Sequence, residues 1–196
     1  DIFVVNQNSN SVSVLLNDGI GGFGNGNNYR VGASPTDVIA VDVNEDDSLD
    51  LVITTSGDDN VSVLLGDGRG GFEPVITTLG PNNPRAVAAA DMDGDRKMDL
   101  VIAGDDGVSI LVGNGDGTFL PPYTVAVGNR PSALVVADFN NDGLPDIAVT
   151  NAGDDSVSVL RNKSLPTEDL LLPSILLNAG TITGFVIDGM APTILG

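Results

Sequence analysis

Apolar and polar residues alternate in four related segments of the chain. They read SVSVLLNDGIGGF (11–23), NVSVLLGDGRGGF (60–72), GVSILVGNGDGTF (107–119) and SVSVLRNKS (156–164). Valine or isoleucine alternating with serine predicts a β-strand, and the Gly-Asp stretch that follows predicts a tight hairpin. The phenylalanine that closes the hairpin is predicted to begin the next strand and to plug the core between neighbouring sheets. These phenylalanines are Phe23, Phe72 and Phe119.

An acidic nonapeptide recurs in phase with these segments. Its copies are DVNEDDSLD (42–50), DMDGDRKMD (91–99) and DFNNDGLPD (138–146), and an apolar run follows each one. Asp1 aligns with the last residue of each copy, so we expect the chain to open inside a repeat. One repeat therefore reads as a strand, the acidic loop, a strand, a short turn, a strand, a Gly-rich turn and a last strand.

Four short strands in a unit of this length match one blade of a β-propeller. We predict an all-β fold of about four blades, each with four antiparallel strands, of which the first is clipped and the last is altered. The propeller repeats span 1–164, and the four units are 1–33, 34–81, 82–129 and 130–164. Residues 165–196 break the register, and for this tail we expect extended strands packed on the last blade. The open alternatives are that the tail supplies the outermost strand of that blade, leads into another domain or is unstructured. Because a blade buries its faces only against neighbours, exposed blade edges favour self-association.

Each nonapeptide carries oxygen-bearing side chains at positions 1, 3, 5 and 9. This spacing curls a loop around one hard cation, with the backbone carbonyl of position 7 as a further ligand. The predicted ligands of the first loop are Asp42, Asn44, Asp46, Ser48 and Asp50. Those of the second are Asp91, Asp93, Asp95, Lys97 and Asp99. Those of the third are Asp138, Asn140, Asp142, Leu144 and Asp146.

Calcium is the cation that this pattern favours, at one ion per loop and so about three per chain. An EF-hand would need glutamate at position 12, where Ile53, Ile102 and Val149 stand instead. Magnesium is an open alternative that demands stricter geometry, and plain Asp-rich turns are another. Position 6 favours glycine because the backbone there is expected to be left-handed, so Arg96 is expected to be strained.

Composition narrows the classes of function. A net charge of −19 argues against nucleic acid and against insertion into an anionic membrane. The chain has neither cysteine nor histidine, which excludes a thiol nucleophile, an imidazole base and the usual zinc sites. We therefore predict that the chain is not an enzyme.

The chain resembles the FG-GAP/VCBS repeats, the calcium-loop blades of integrin α-chain propellers and of many bacterial surface proteins. VVADFNNDGLPDIAVTNAGDDSVSVL (135–160) and SILVGNGDGTF (109–119) carry this resemblance. It implies a propeller with structural calcium loops in an extracellular or cell-surface protein. Such propellers commonly have seven blades, so the chain is expected to be a fragment of a larger ring, an open array, or a ring completed by another chain.

The resemblance implies a non-enzymatic scaffold for adhesion that recognises a protein or glycan ligand on the propeller face. A carbohydrate-binding lectin propeller is an alternative, for which Tyr29 and Tyr123 are the available aromatic platforms. Edge-strand aromatics that cover a blade are the simpler interpretation of both tyrosines. A further alternative is an accessory domain of an extracellular enzyme that degrades polysaccharide or lipid.

Overall fold

The computed structural model describes residues 1–163 and 178–182, which form four antiparallel sheets. The first sheet contains β1 (Ile2–Asn6), β2 (Ser11–Leu15) and β3 (Asn27–Arg30). The second contains β4 (Pro35–Val41), β5 (Asp50–Thr55), β6 (Asn60–Leu64) and β7 (Ile76–Leu79). The third contains β8 (Ala86–Ala90), β9 (Asp99–Gly104), β10 (Gly107–Leu111) and β11 (Tyr123–Val125). The fourth contains β12 (Pro131–Ala137), β13 (Asp146–Asn151), β14 (Ser156–Arg161) and β15 (Asn178–Ile182). A short 3-10 turn (Gln7–Ser9) joins β1 to β2.

Strands follow one another across each sheet in chain order. The second strand lies between two neighbours in its sheet, and in the two middle sheets both of its faces are covered. Every residue of β5 and β9 is buried. Strands buried on both faces read as continuous apolar runs, which explains the uninterrupted sequences DLVITT and DLVIAG.

The core lies between the sheets, in three apolar layers. Val12 and Val14 of the first sheet pack against Leu51 and Ile53 of the second. The second sheet packs against the third through the layer that contains Val61 and Leu100, and the third packs against the fourth through Val108 and Ile147. Each of the two middle sheets therefore has one face toward the preceding sheet and one toward the following sheet. The predicted all-β fold with propeller-like blades is confirmed.

The phenylalanine after each hairpin does not begin a strand, so this prediction is wrong. Phe23, Phe72 and Phe119 each form one isolated bridge, and the strand that follows the hairpin starts four residues after the phenylalanine. In the second and third sheets prolines follow the phenylalanine, and a residue without an N–H interrupts the hydrogen-bonded ladder. The predicted core role is confirmed for Phe72 and Phe119, which pack against the preceding sheet. Phe23 is exposed.

The fourth sheet is completed from the tail. β15 pairs antiparallel with β14, from Arg161 opposite Asn178 to Val157 opposite Ile182. The remainder of the predicted tail, 165–177 and 183–196, lies outside the described residues. The part of the chain that is described has no helix with the length and hydropathy of a membrane span.

Candidate metal centres in the aspartate loops

The three nonapeptides form the loops between the first and second strands of their sheets. They connect β4 to β5, β8 to β9 and β12 to β13, so all three lie at the corresponding edge of their sheets. The predicted ligand positions are therefore repeated in three equivalent places.

The ninth aspartate is fully buried in each loop and is fixed by two backbone N–H groups. One oxygen accepts from loop position 2, and the other accepts from the hairpin after the third strand. The pairs for Oδ2 are Asp50–Val43 (2.9 Å), Asp99–Met92 (2.8 Å) and Asp146–Phe139 (3.2 Å). The pairs for Oδ1, all at 2.8 Å, are Asp50–Gly66, Asp99–Gly113 and Asp146–Asn162. Each carboxylate therefore ties its loop to the next hairpin and keeps further lone pairs for a cation.

Asp1 makes the corresponding contact in the first sheet. Its Oδ1 accepts from the backbone N–H of Asn17 at 2.8 Å, and Asn17 occupies the repeat position of Gly66 and Gly113. The predicted alignment of Asp1 with the ninth aspartates is therefore matched by its hydrogen bond.

The first aspartate closes each loop through the N–H of position 6. Oδ2 accepts at 2.9 Å in all three loops, in the pairs Asp42–Asp47, Asp91–Arg96 and Asp138–Gly143. The backbone of position 6 is left-handed in each loop, with φ of 63°, 75° and 87°, as predicted. Position 4 is left-handed too, at Glu45, Gly94 and Asn141, which sequence reasoning missed. Only one of these three residues is a glycine, which was too weak a signal for a left-handed backbone at position 4.

Positions 3 and 5 complete the curl. In each loop the position-5 carboxylate accepts the backbone N–H of position 7, over 2.8–3.0 Å. In the first and third loops the position-3 amide donates to it, in the pairs Asn44–Asp46 and Asn140–Asp142, both 2.9 Å. The position-7 residues Ser48, Lys97 and Leu144 thus contribute N–H groups, and ligation by their carbonyls stays a prediction.

The second loop brings three carboxylates together. One oxygen from each of Asp91, Asp93 and Asp99 lies within 4.8 Å of the others. Asp95, the fourth predicted side-chain ligand, is not in this group. Its Oδ2 lies 3.5 Å from Nζ of Lys97. An ion in this loop would therefore compete with Lys97 for Asp95.

Burial and the repulsion between neighbouring carboxylates disfavour negative charge on several of the loop aspartates. Burial is the main cause that raises the pKa of Asp99 to about 6, and the nearby Asp93 and Asp95 add to the shift. Burial also raises the pKa of Asp93 and of Asp50. In contrast, the amide of Asn44 lowers the pKa of Asp46, and the N–H of Gly143 lowers that of Asp138.

This donor set fits a hard divalent cation. Carboxylate, amide and carbonyl oxygens are the ligands of calcium and magnesium, and the sequence offers no thiolate or imidazole. A buried carboxylate held by two N–H groups, with two more carboxylates at its side, is the environment in which a cation relieves the largest repulsion.

The first and second loops also contact the sheet that follows them. Val43 and Met92, at loop position 2, are buried, and their carbonyls accept from that sheet. The N–H of Gly117 donates to Val43 at 3.1 Å, and Nδ2 of Asn162 donates to Met92 at 2.7 Å. Sequence reasoning missed Asn162, whose only signal was an asparagine at a position that is glycine in the two middle repeats.

The chain matches the family model described as the FG-GAP-like repeat at residues 42–102 and 91–149. A structure of an Agrocybe aegerita lectin, described as specifically recognising non-reducing terminal N-acetylglucosamine, is similar in fold. The TM-score is 0.53 at 20% identity, over 78% of this chain and 44% of the lectin chain. A Photorhabdus luminescens Tc holotoxin pore matches with a TM-score of 0.44 at 19% identity, over 81% of this chain and 9% of that chain. No curated protein matches the sequence at a significant level. The chain thus spans less than half the length of these two solved chains.

Proposed function

The chain belongs to the FG-GAP-like repeat family, and on that premise we propose that it is a non-enzymatic, calcium-binding propeller module. We place it in a secreted or cell-surface protein, where it is a scaffold for recognising a protein or glycan ligand. The fold is rigid only if adjacent sheets stay packed. The first and second acidic loops contact the sheet that follows them, so calcium is proposed to act on the fold first.

The observation that supports calcium most directly is the gathering of Asp91, Asp93 and Asp99 around one point. Two of the three have pKa values raised chiefly by burial, so the loop holds ionised carboxylates at a cost. A bound divalent ion supplies the positive charge that removes this cost. The first and third loops repeat the arrangement with asparagine at position 3.

Each loop position has a distinct part in this proposal. The side chains of positions 1, 3 and 5 reach the ion from the curl, and the position-7 carbonyl closes the ring of oxygens. The ninth aspartate supplies one lone pair from a group already fixed by the next hairpin. An ion bound there therefore ties the loop to the sheet without ordering a mobile side chain.

Calorimetry and thermal unfolding test this function together. We expect three calcium ions per chain and a lower melting temperature after chelation. A site held at about 100 times its Kd contributes about 2.7 kcal/mol. For a domain of this size that corresponds to roughly 5–10 °C per site. An unchanged melting curve after chelation would refute structural calcium.

Glycan recognition has one specific observation in its favour, the exposed ring of Tyr123 on the outermost strand β11. Tyr29 does not share this exposure, because its ring packs edge-on against Phe72 at 5.2 Å between centroids. Saturable binding on a glycan array that is lost in Tyr123→Ala would support a sugar site. Binding that survives this substitution would place any sugar site elsewhere.

A further inference from the structure

The second acidic loop differs from the other two at positions 3 and 7 together. At position 3 it has Asp93, where the first and third loops have Asn44 and Asn140. At position 7 it has Lys97, where the other two loops have neutral residues. The first difference adds a carboxylate to the predicted ligands, and the second adds a cation beside them.

The asparagine at position 3 donates to the aspartate at position 5 in the first and third loops. Nδ2 of Asn44 donates to Oδ2 of Asp46 at 2.9 Å. The equivalent pair of the third loop, Asn140 and Asp142, has the same distance between the same atoms. An ionised aspartate at position 3 cannot replace this donor, because a carboxylate only accepts hydrogen bonds. The second loop therefore lacks the group that pairs with position 5 elsewhere.

Lys97 occupies the place of the missing donor. Its Nζ lies 3.5 Å from Oδ2 of Asp95, the oxygen that accepts from asparagine in the other loops. The second loop has four predicted carboxylate ligands and this one cation, whereas each of the other loops has three carboxylates. The net charge summed over the five predicted ligand residues is therefore −3 in every loop.

Repulsion within the second loop gives this cation something to offset. Burial is the main cause that raises the pKa of Asp93, and the charges of Asp95 and Asp91 add to it. Asp93 and Asp95 also raise the pKa of Asp99, behind burial. The extra carboxylate at position 3 therefore lies among like charges, and Lys97 is beside them.

Packing holds the side chain of Lys97 in this place. A Cβ at Gly115, in the hairpin that follows β10, would lie 3.0 Å from Cδ of Lys97. In the second sheet, a Cβ at the equivalent Gly68 would lie 3.1 Å from Oγ of Ser48. The side chain of Lys97 is 36% exposed, so its stem lies on the hairpin while Nζ reaches the carboxylate. The cation therefore needs little further ordering to stay beside Asp95.

Arg96 is the neighbouring cation and does not share this arrangement. It is exposed, and in the described part of the chain it forms no ion pair. Solvent therefore screens its charge. The charge of Lys97 acts on the hairpin as well, since it adds to the lowering of the pKa of Asp116 that hydrogen bonds from Thr118 mainly cause. The two cations of one loop thus differ in their position relative to the carboxylates.

We propose that Lys97 is an internal counter-ion that lowers the calcium affinity of the second loop. The inference rests on the proposed function, because it concerns how tightly calcium binds. In the metal-free loop, Lys97 offsets the repulsion that the fourth carboxylate adds. An ion that takes Asp95 as a ligand replaces Nζ at Oδ2, and the loss of this ion pair weakens its binding. The loop therefore stays folded at low calcium and releases its ion more readily than four carboxylates alone would.

Calorimetric titration with calcium chloride tests the proposal on the whole chain that carries Asp46→Asn and Asp142→Asn, which weaken the other two loops. Lys97→Met keeps the stem and removes the charge, so we expect the calcium affinity to rise roughly three- to tenfold. Lys97→Arg keeps the charge and is expected to stay within about twofold of its parent. Arg96→Met is the matched control, because it removes one charge from the same loop without changing the backbone strain. A change of less than about twofold is expected for it.

Urea unfolding in the presence of EDTA gives a second readout. Lys97→Met leaves four carboxylates without their counter-ion, so its unfolding midpoint is expected to fall, whereas Arg96→Met is expected to keep the wild-type midpoint. Saturating calcium is expected to remove the loss, because the ion supplies the missing charge. Adding Asp93→Asn to Lys97→Met is expected to restore the metal-free midpoint, because an asparagine at position 3 can donate to Asp95 as in the other loops.

The results that would overturn the proposal are specific to Lys97. They are an unchanged or weaker calcium affinity in Lys97→Met, an equal rise in Arg96→Met or in Lys97→Arg, and a double variant with Asp93→Asn that is no more stable than Lys97→Met alone. Each of them leaves the proposed function standing when the wild-type chain binds calcium. A wild-type chain that binds no calcium would refute the proposed function and this inference together.

Discussion

At the scale of the residue, the ninth aspartate of each loop fixes the loop through hydrogen bonds and is also a predicted ligand of the cation. It is buried, and both of its oxygens accept backbone hydrogen bonds before any ion is considered. At Asp50 and Asp99 burial also raises the pKa, so the carboxylate stabilises the turn but resists being charged. In the second loop, a bound cation would therefore bring the greatest gain at Asp99, where burial opposes the negative charge most.

The raised pKa of Asp99 predicts that a rise in pH lowers the stability of the metal-free chain but raises the affinity of the second loop for calcium. The folded pKa of Asp99 is about 6 and its ordinary value is 3.8, so the metal-free native chain binds the proton more tightly than the unfolded chain. Its stabilising contribution is full below the ordinary value and is lost as pH rises through 6. We expect the free energy of unfolding of the metal-free chain to fall between pH 5 and pH 7 in urea titrations.

Calcium affinity of the second loop should change in the other direction. The ion must displace the Asp99 proton, so affinity at pH 5 is expected to be about tenfold weaker than at pH 7. Calorimetry on the variant Asp46→Asn/Asp142→Asn, which weakens the first and third loops, isolates this site. Equal affinity at the two pH values would contradict the assignment of Asp99 as a ligand.

Backbone strain in the second loop gives another prediction. Arg96 has a φ of 75°, a conformation that costs a non-glycine residue about 1–2 kcal/mol. Glycine relieves the strain but loses about 0.4–1 kcal/mol through the unfolded chain. With calcium bound, Arg96→Gly is expected to stabilise the fold by roughly 0.5–1 kcal/mol in urea unfolding.

Arg69→Gly is the matched control for this substitution. Arg69 is also exposed beside acidic residues, but its φ is not positive. Glycine there is expected to destabilise by roughly 0.5–1 kcal/mol. The same sign for both variants would show that charge, and not backbone conformation, decides the effect.

At the scale of the element, the first and second acidic loops each contact the next sheet as well as their own. Their carbonyl at position 2 accepts from the following sheet, and the side chain at position 2 is buried there. Binding of a metal ion in these loops would therefore be coupled to sheet packing through one short segment. The coupling is strongest where the contact is a side chain, at Asn162.

Asn162→Ala tests this coupling. Asn162 and Met92 are both buried, so the substitution leaves a carbonyl without its partner and is expected to cost about 1–3 kcal/mol in urea unfolding. Asn17→Ala is the control, because Asn17 holds the same repeat position but its side chain is exposed and accepts from Gly19 within its own turn. A cost below about 0.5 kcal/mol is expected for it. Equal losses would mean that the bond to Met92 contributes nothing specific.

How far the sequence predicts these elements depends on the range of the interactions involved. The repeat period and the Val-Ser alternation predicted the strands that precede each Gly-rich hairpin, because local patterning decides them. The strands after the hairpins were predicted to start too early. In the second and third sheets Pro74, Pro121 and Pro122 lack the N–H that a strand needs after the phenylalanine. β15 could not be placed, since its pairing with β14 depends on a contact between distant segments that no local pattern encodes.

The loops show the same division. Positions 1, 3, 5 and 9 were visible as a spacing of oxygen-bearing residues. The two hydrogen bonds that fix Asp99, and the left-handed backbone at position 4, depend on how the loop folds against its hairpin. The contact of Asn162 with Met92 joins residues 70 positions apart, so no motif could reveal it.

At the scale of the whole molecule, the chain is an array in which position decides energetics. Among the described residues, each of the two middle sheets is covered on both sides, whereas the first and fourth sheets each have an exposed face. Three bound divalent ions would change the net charge from −19 to −13, which would weaken repulsion between blades. Calcium is thus expected to favour folding of the array.

A matched pair of substitutions measures this effect of position. Ile2 and Ile147 occupy the same repeat position with the same residue type, but Ile147 is fully buried and Ile2 is 41% exposed. Ile147→Ala is expected to cost about 2–5 kcal/mol in urea unfolding, since it leaves a cavity between the third and fourth sheets. Ile2→Ala is expected to cost less than about 1.5 kcal/mol because little buried area is lost. Equal costs for the two variants would mean that the side chain of Ile2 is covered in solution.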